Sequence, residues 1–334
     1  MFNEEVVLGI DIGGTNTVFG FVDKNGNCIN QGVIPTNSNE SAENLFDRLF
    51  YKVKEIMKNN PELSEIAGIG IGAPNANYYK GTVEQPPNLN WGTVNVIEIV
   101  KKYFQVPVAI TNDANAAAIG EMQFGSAKGM KDFIVITLGT GLGSGIVSNG
   151  KLIYGHDGFA GEIGHVCVIP DGRECGCRRK GCLETYASAT GIRRTVFELL
   201  ANKSSQSSLR NFSFNELTSK SIYEAAVEGD PIALAAFDYT GKILGKALAN
   251  AVNYTSPEAI ILFGGLASAG EYIFEPVKKY MEENILNIFK NKVNVIPSTL
   301  TEGNAAVLGA AALIWNELNH TPTMKSEVEN WDLM

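Results

Sequence analysis

Apolar runs that end in glycine-rich turns recur twice along the chain and predict two sets of β-strands. The strand-like segments are residues 6–12, 17–22 and 27–33 in the first copy, and residues 133–138, 144–147 and 151–154 in the second. Asn25-Gly26 and Asn149-Gly150 separate the later strands of each copy, and Asn-Gly between apolar runs is typical of a type I′ hairpin. The recurrence predicts two related half-domains.

Helical periodicity follows these strands. In residues 42–58 the apolar positions Leu45, Phe46, Leu49, Val53 and Ile56 recur at close to 3.6-residue spacing. Similar patterns occupy residues 241–252 and 304–318, and the run 259–263 predicts a further strand that ends at Gly264-Gly265. Alternating strands and helices are typical of the α/β class. Residues 319–334 have the composition of a loosely packed tail.

Composition narrows the possible functions. The chain has 334 residues, 45% of them hydrophobic, which is enough for two domains, and its net charge is −9. An acidic chain lacks the basic surface that nucleic-acid binding requires, so we expect no nucleic-acid partner. The first residues lack the pattern of a signal peptide, and no run of about 18 apolar residues predicts a membrane span. We therefore expect a cytoplasmic protein.

The glycine-rich turns are candidate phosphate sites. Gly139, Gly141, Gly143 and Gly145 superficially resemble a dinucleotide fingerprint, but that motif requires a helix to follow, and the sequence here predicts a hairpin. Backbone N–H groups in glycine turns can still hold phosphate, with threonine adding a hydroxyl donor. The alternative is that the glycines only form hairpins. Their duplication, with Asp11 in the first copy as a hard oxygen donor that could position Mg²⁺ through water, favours nucleotide binding.

One short segment combines one histidine and three cysteines: His165, Cys175, Cys177 and Cys182. Three thiolates and an imidazole form the ligand set of a closed, tetrahedral structural zinc site. The alternatives are buried cysteines or disulfides, and a reducing compartment disfavours the latter. Glu162 and Glu184 flank the set but are not needed as ligands, so they are available for another role. Cys28 and Cys167, in apolar surroundings, are expected to be buried.

Asp113 follows a predicted strand, residues 106–110, and begins an alanine-rich helix. It can be a helix N-cap. It can also be a general base that accepts a proton from a sugar hydroxyl attacking a γ-phosphate. The residue alone does not decide between these roles.

Together these segments resemble the ROK family of bacterial sugar kinases and sugar-responsive repressors, over nearly the whole chain. The most specific match is Gly161-Glu-Ile-Gly-His165 followed by Cys175-x-Cys177-x4-Cys182-Leu-Glu184. Further matches, in the expected order, are Asp11 to Asn16, Asn112 to Asn115, Leu138 to Gly141, Gly264-Gly265 and Glu302 to Asn304. Arg178 is a departure, because family members usually have glycine there.

The resemblance implies an actin-like, ribonuclease-H-like ATPase fold of two domains flanking a nucleotide and sugar cleft. It implies residues 1–113, completed by helix 304–318, as the small domain, and 114–303, with the zinc loop 161–184, as the large one. Asp113 would be the base. Sugar hydroxyls would contact Asn88, Asn112, Asp113, Glu162, His165 and Glu184. ATP and its Mg²⁺ would contact Asp11, Gly13, Gly14, Thr15, Asn16, Thr140, Gly141, Gly264 and Gly265.

The expected activity is ATP- and Mg²⁺-dependent phosphorylation of the 6-hydroxyl of glucose, with a structural zinc ion and a homodimeric or homotetrameric assembly. N-acetylglucosamine, N-acetylmannosamine or another hexose is the alternative substrate. A sugar-sensing repressor and a zinc-ribbon interaction module are the rival classes. Repressors of this family carry a helix-turn-helix before the segment that begins here at Asp11, and the sequence leaves no room for one. The long α/β chain disfavours the zinc ribbon.

Overall fold

The computed structural model describes residues 5–300 and 305–320 of the chain. Its strands are β1 Val6–Ile12, β2 Asn16–Asp23, β3 Cys28–Pro35, β4 Ile69–Gly72, β5 Ala76–Asn77, β6 Thr82–Glu84, β7 Thr93–Asn95, β8 Val108–Thr111, β9 Phe133–Leu138, β10 Leu142–Ser148, β11 Lys151–Leu152, β12 Ala259–Phe263 and β13 Asn294–Pro297. Its helices are α1 Ala42–Asn59, α2 Val96–Lys101, α3 Asp113–Phe124, α4 Ala189–Asn202, α5 Ser219–Val227, α6 Pro231–Thr255, α7 Glu271–Asn284 and α8 Ala305–His320. The predicted Glu302 to Asn304 segment, and residues 321–334 of the predicted tail, lie outside the described residues.

Two five-stranded sheets have the same topology. Their strand orders are β3-β2-β1-β4-β8 and β11-β10-β9-β12-β13. In each sheet the first three strands pair antiparallel and the last two add in parallel. A small third sheet, β5-β6-β7, is inserted between β4 and β8. The duplicated strand pattern predicted from the sequence is thus confirmed.

The two predicted hairpin turns differ. Asn149 and Gly150 have φ of 51° and 72°, and a two-residue loop with both φ positive is the predicted type I′ turn. At the other turn Gly26 has a φ of 87° but Asn25 has no positive φ, so the type I′ prediction there is wrong. The reason is Asp23, whose Oδ1 accepts hydrogen bonds from the backbone N–H groups of Asn25 and Asn27, both at 2.8 Å. These bonds hold a longer loop.

The chain divides into two compact units. Unit 1 contains the described residues up to Gly120 together with α8, and unit 2 contains residues 121–300. The division falls within α3 and not at its first residue, Asp113, where the sequence placed the domain boundary. The first turns of α3 belong to unit 1 because they pack on α8: a Cβ on Gly309 would lie only 2.5 Å from the carbonyl oxygen of Ala116.

In unit 1 the central strand β1 is covered on both faces. Leu8 and Ile10 are fully buried in a core that also contains the apolar side of α1. Gly9, which alternates with them, faces α8 so closely that a Cβ would lie 2.3 Å from the carbonyl oxygen of Val307. Helix α1 begins at its N-cap Ser41, whose hydroxyl accepts a hydrogen bond from Asn44 N. The helical spacing predicted for residues 42–58 is confirmed.

In unit 2 the strands β9 and β12 are buried beneath a layer that includes α4, α6 and α7. Helix α6 is longer than the predicted 241–252, because Asp230 caps its N-terminus through the N–H groups of Ile232 and Ala233. Gly241 allows α6 to approach α7, since a Cβ there would lie 2.6 Å from Pro276 Cβ. Of the helices described, none has both the length and the apolar character needed to cross a bilayer.

Candidate active site

The four predicted zinc ligands lie together in unit 2. The ligand atoms of His165, Cys175, Cys177 and Cys182 are all within 4.8 Å of one another. Cys175 Sγ is 3.7 Å from His165 Nδ1, and Cys177 Sγ is 3.6 Å from Cys182 Sγ. Tetrahedral zinc with ordinary bond lengths would set these separations at about 3.6 Å for sulfur to nitrogen and about 3.8 Å for sulfur to sulfur. The donor set therefore fits tetrahedral zinc in both chemistry and spacing.

Backbone pairing shapes the cysteine loop. Cys167 and Cys182 form an isolated antiparallel bridge, and Glu174 pairs with Lys180 in the same way. Between them, Arg178 N donates to Cys175 O at 2.9 Å, and Arg178 has a φ of 68°. This left-handed conformation favours glycine, which explains the family preference at the position where this chain has arginine.

Cys167 is exposed and Cys28 is only half-buried, so the expectation that both are buried is wrong for Cys167 and overstated for Cys28. Of its apolar neighbours in the sequence, Val168 packs partly buried against the core, but this does not cover the Cys167 side chain. The other neighbour, Val166, is itself exposed.

Two carboxylates adjoin the histidine of this cluster. His165 Nδ1 lies 3.7 Å from Glu184 Oε1, and His165 Nε2 lies 4.0 Å from Glu162 Oε2. His165 and Glu184 lie in two short 3-10 turns, Ile163–His165 and Leu183–Thr185, and Glu162 immediately precedes the first of them. Nδ1 is the nitrogen that faces the cysteine sulfurs, so Nε2 remains to face the Glu162 side. The predicted sugar-binding residues of unit 2 therefore lie together.

The second glycine turn lies beside this group. A Cβ on Gly141 would be 2.7 Å from Glu184 Oε2, and a Cβ on Gly264, whose φ is 99°, would be 2.9 Å from the carbonyl oxygen of Leu138. Thr140 is exposed at the tip of the turn between β9 and β10. The hairpin context that excluded a dinucleotide fingerprint is confirmed, since Leu142 pairs antiparallel with Leu138. Gly264 and Gly265 thus follow β12 at the same end of the sheet as this turn.

Unit 1 holds the corresponding first turn, between β1 and β2. Gly13 N donates to Asn16 O at 3.0 Å, and Thr36 Oγ1 donates to Gly13 O at 2.7 Å, so the turn is closed on both sides. Thr15 and Asn16 are exposed on it. A Cβ on Gly14 would lie 2.9 Å from Asn88 Cβ, which places the predicted sugar residue Asn88 against the predicted phosphate turn.

Asp11 and Asp113 lie on either side of Gly72 in unit 1. A Cβ on Gly72 would be 3.4 Å from Asp11 Oδ1 and 3.8 Å from Asp113 Cα. Helix α3 begins at Asp113, so the capping position belongs to Asn112, whose Oδ1 accepts a hydrogen bond from Ala114 N at 2.9 Å. Asp113 Oδ1 also accepts from Ala114 N, at 2.8 Å. The cap role weighed for Asp113 is thus filled by its neighbour.

Both carboxyl groups are harder to ionise than usual. Desolvation by the surrounding protein, with a smaller contribution from the charge of Asp113, raises the pKa of Asp11 from 3.8 to about 7. Desolvation also raises the pKa of Asp113, and the N–H of Ala114 offsets only part of that effect. The Asp113 side chain nonetheless keeps contact with solvent and is open to a ligand. A carboxyl with a raised pKa and an accessible oxygen suits a general base.

Two residues of this region were not singled out from the sequence. Ser144 on β10 donates to Gly161 O and accepts from Ile163 N at 3.1 Å, which fixes the turn that carries Glu162 and His165. Arg173 is buried behind the cysteine loop and bonded to α4. Neither residue belongs to a recurring pattern, so no sequence signal distinguished them from other loop residues.

Comparison of the chain with protein families and with individual known proteins points to the same group of relatives. The ROK family profile matches residues 7–317. The glucokinase of Halalkalibacterium halodurans is 37% identical over 320 residues, covering 93% of this chain and 96% of that protein. The glucokinase of Thermotoga maritima is 34% identical over 313 residues, covering 92% and 96%.

Solved structures agree with these relatives. A ROK family glucokinase from Streptomyces griseus, in complex with glucose and AMPPNP, matches with 34% identity and a TM-score of 0.79, covering 92% of this chain and 98% of that one. A ROK family transcriptional regulator, a homologue of the E. coli Mlc protein, matches with 27% identity and a TM-score of 0.85, covering 94% and 78%. The predicted α/β, actin-like ATPase fold is therefore confirmed. The chain belongs to the ROK family.

Proposed function

We propose that the protein is an ATP- and Mg²⁺-dependent glucokinase that phosphorylates the 6-hydroxyl of glucose. The observation that carries this proposal is the similarity to three glucokinases at 34–37% identity, each aligned over at least 92% of this chain. The arrangement of carboxylates, glycine turns and cysteine ligands in the two units agrees with that chemistry.

In the proposed sugar site, Glu162, Glu184 and His165 of unit 2 bind hydroxyl groups. Ionised carboxylates accept hydrogen bonds from hydroxyls, and such charge-assisted bonds are stronger than neutral ones. Asn88 and Asn112 are the other two residues proposed to contact sugar hydroxyls. Because the Asn112 Oδ1 atom already accepts from Ala114 N, its amide NH₂ remains the donor for a sugar oxygen.

His165, Cys175, Cys177 and Cys182 would hold zinc, which supplies a fixed frame for the loop and leaves no open position for activating water. Metal binding requires the thiolate form of cysteine. In the structure Cys175 Sγ donates a hydrogen bond to Glu184 Oε1 at 2.8 Å, and a thiolate cannot donate it.

The two glycine turns are the proposed phosphate sites. Backbone N–H groups of Gly14 and Gly141, with the Thr15 and Thr140 hydroxyls and the Asn16 amide, provide donors of the type that phosphate oxygens accept. The N–H of Gly13 is already bonded to Asn16 O, so Gly13 shapes the first turn. Gly264-Gly265 offers a flat backbone surface for the adenosine. Asp11 would hold Mg²⁺, through water, in its ionised form, because Mg²⁺ prefers oxygen ligands and keeps several of its waters.

Asp113 is the proposed general base. The 6-hydroxyl oxygen of glucose forms a bond to the γ-phosphorus as the bond from that phosphorus to the β,γ-bridging oxygen breaks. The hydroxyl proton passes to the Asp113 carboxylate, and ADP leaves with the bridging oxygen. Desolvation of Asp113 raises its proton affinity and thereby improves it as a base at neutral pH.

One other function and one other substrate class can be tested for the same fold. The xylose repressor of Caldicellulosiruptor bescii is 32% identical over 287 residues, so a sugar-sensing role without catalysis is the second candidate. A putative N-acetylmannosamine kinase from Listeria monocytogenes, with 25% identity and a TM-score of 0.75, represents the alternative substrate class. A cytoplasmic location, a homodimeric or homotetrameric assembly, and the absence of nucleic-acid and membrane partners belong to the proposal.

The test is ADP release measured with ATP, Mg²⁺ and a panel of sugars: glucose, mannose, fructose, allose, N-acetylglucosamine and N-acetylmannosamine. We expect glucose to give the highest kcat/KM and a product that glucose-6-phosphate dehydrogenase oxidises. Sugar binding without ADP release would favour the repressor reading. A higher kcat/KM for an N-acetylated sugar would make that sugar the substrate, with phosphoryl transfer from ATP still the reaction.

A further inference from the structure

Arg173 lies two residues before the first cysteine ligand, and its side chain is only 6% exposed. Its guanidinium makes five hydrogen bonds. Nη1 donates to the carbonyl oxygens of Thr185 at 2.7 Å and Gly191 at 3.0 Å. Nη2 donates to Thr195 Oγ1 at 2.9 Å, and Nε and Nη2 together bind the Glu198 carboxylate at 2.8 and 2.5 Å. All the donor nitrogens are therefore in use.

The same residue is tied into the loop through its backbone and its ring contact. Arg173 N donates to Tyr186 Oη at 2.9 Å, and Arg173 O accepts from Gly181 N at 2.9 Å. The guanidinium carbon lies 4.4 Å from the centre of the Tyr186 ring, in cation–π geometry. Arg173 thus connects the segment before Cys175, the residue before Cys182, and the turn that carries Glu184.

The position of Glu184 depends on this network. Thr185, whose carbonyl oxygen binds Arg173, is its neighbour in the chain. The carbonyl oxygen of Glu184 accepts from Ser188 Oγ at 2.7 Å, and Ser188 in turn caps α4, the helix that Arg173 binds at Gly191, Thr195 and Glu198. Loss of the guanidinium would leave the buried Thr185 carbonyl oxygen without this donor, whereas the Gly191 carbonyl oxygen would keep its bond from Thr195 Oγ1. The turn that carries Glu184 and Thr185 would therefore have to move for the Thr185 carbonyl oxygen to regain a hydrogen bond.

We propose that Arg173 is a positioning residue that fixes the turn carrying Glu184 and the loop carrying Cys175, and so sets the affinity for the hexose and the retention of zinc. The inference rests on the proposed function for its sugar part and on the ligand geometry alone for its zinc part. If Arg173 only stabilised the fold, its replacement would lower stability without a specific effect on hexose affinity or zinc retention. Arg173 itself contacts none of the glycine turns proposed for ATP and can reach them only through the turn of Glu184, which lies against Gly141, so its loss should affect ATP binding less than glucose binding.

Arg173→Met and Arg173→Lys test this directly. Methionine keeps the apolar stem and removes every donor, whereas lysine keeps the charge but lacks the planar fork that binds two carbonyls and a carboxylate together. Loss of a partner behind a metal ligand typically costs tenfold to a hundredfold, so we expect Arg173→Met to raise the KM for glucose by at least about tenfold. We expect the KM for ATP to change less than about threefold, and Arg173→Lys to lie between wild type and Arg173→Met.

Zinc retention provides a readout independent of activity. Release of zinc to the chromophoric chelator 4-(2-pyridylazo)resorcinol should be at least about tenfold faster from Arg173→Met than from wild type. Arg210→Met is the matched control, because Arg210 also donates to backbone carbonyl oxygens, of Leu200, Lys203 and Ser205, but in a loop away from the cysteines. This control should change neither the KM for glucose nor the rate of zinc release.

The outcomes separate the two proposals. If wild-type protein phosphorylates no sugar, the proposed function fails, and zinc release still decides the role of Arg173. If wild type is active and folded Arg173→Met keeps both its KM for glucose and its zinc-release rate, the positioning role is overturned alone. Should Arg173→Met fail to fold, Tyr186→Phe removes only the acceptor for Arg173 N, and an unchanged zinc-release rate in both Tyr186→Phe and Arg173→Lys would likewise overturn it.

Discussion

Replacing Asp11 with asparagine should stabilise the protein at pH 8 and at the same time abolish phosphoryl transfer. The Asp11 carboxyl has a pKa raised from 3.8 to about 7, mainly because the surrounding protein displaces water and secondarily because Asp113 is close. Among the described residues it has no hydrogen bond that would compensate for its charge. Asparagine has the same shape without the charge, so it removes the unfavourable ionisation but also the ligand proposed for Mg²⁺.

The sign and size follow from proton linkage. Between pH 3.8 and about 7 the folded state binds more protons than the unfolded state, so this group lowers stability progressively as pH rises through that window. Above it the full shift would correspond to about 4 kcal/mol. Because Asp11 is only half-buried, screening by water reduces this, and we expect a gain of about 2 kcal/mol for Asp11→Asn at pH 8. At pH 5 the gain should fall to less than half of that.

Thermal unfolding followed by circular dichroism, in buffer with a chelator for Mg²⁺, measures the effect. For a unit of this size the expected increase in Tm is about 4–8 °C at pH 8. Asp23→Asn is the matched control on the same hairpin. Burial acts to raise the pKa of Asp23, but hydrogen bonds from Asn25 and Asn27 together outweigh it and lower that pKa, so replacement of Asp23 should reduce Tm. An Asp11→Asn protein no more stable than wild type at pH 8, or equally stabilised at pH 5 and pH 8, would show that the Asp11 charge carries no such cost.

The other predictions concern the base and the cysteine loop. Asp113→Asn should bind glucose and ATP within a few fold of wild type but lose roughly two to four orders of magnitude in kcat. In the wild type, the acid limb of the profile of kcat against pH should lie above the ordinary carboxyl range, because the pKa of Asp113 is raised. Near-normal turnover of Asp113→Asn would remove Asp113 from the mechanism. Metal analysis of protein purified without chelator should find about one zinc per chain. Cys182→Ser should lower both the zinc content and the affinity for glucose. A full zinc content in Cys182→Ser would contradict the ligand assignment. Arg178→Gly should raise the free energy of unfolding in urea by about 0.5–1 kcal/mol, because it relieves a left-handed φ of 68°. As a control, Gly176→Ala should not lower the free energy of unfolding, because the added Cβ meets open space. A destabilised Arg178→Gly would mean that the arginine side chain stabilises the fold by more than its backbone strain costs.

Local signals in the sequence predicted the elements that depend on local physics. The apolar run at residues 133–138 is the strand Phe133–Leu138, and Asn149-Gly150 forms the type I′ turn between β10 and β11. Both patterns were predictable because they carry their own conformational preferences. The four proposed metal ligands could be grouped from the sequence for the same reason, since they lie between His165 and Cys182 in the chain, and the structure brings their donor atoms within 4.8 Å of one another.

What depended on tertiary contacts was not predictable. Asp23 overrides the turn preference of Asn25 through side-chain bonds that no dipeptide rule contains. Arg173 has partners on a helix that begins 16 residues later in the chain, at Ala189, and neither residue signals the other in the sequence. The exposure of Cys167 depends on how its loop lies on the surface, which apolar neighbours in the chain do not determine.

The closeness of α8 to the first sheet has a consequence for the order of folding. Gly9 and Gly70 present bare backbone to this helix, and a Cβ on Gly70 would lie only 1.8 Å from the carbonyl oxygen of Ala310. During synthesis these strands emerge early. At 5–20 residues per second the covering helix, which begins at Ala305, follows the end of β4 at Gly72 only after about 230 further residues, or roughly 12–47 s. Unit 2, continuous in the chain, needs no such delayed segment. Unit 2 should therefore finish folding on the ribosome before unit 1, whose sheet has one face uncovered until α8 is synthesised.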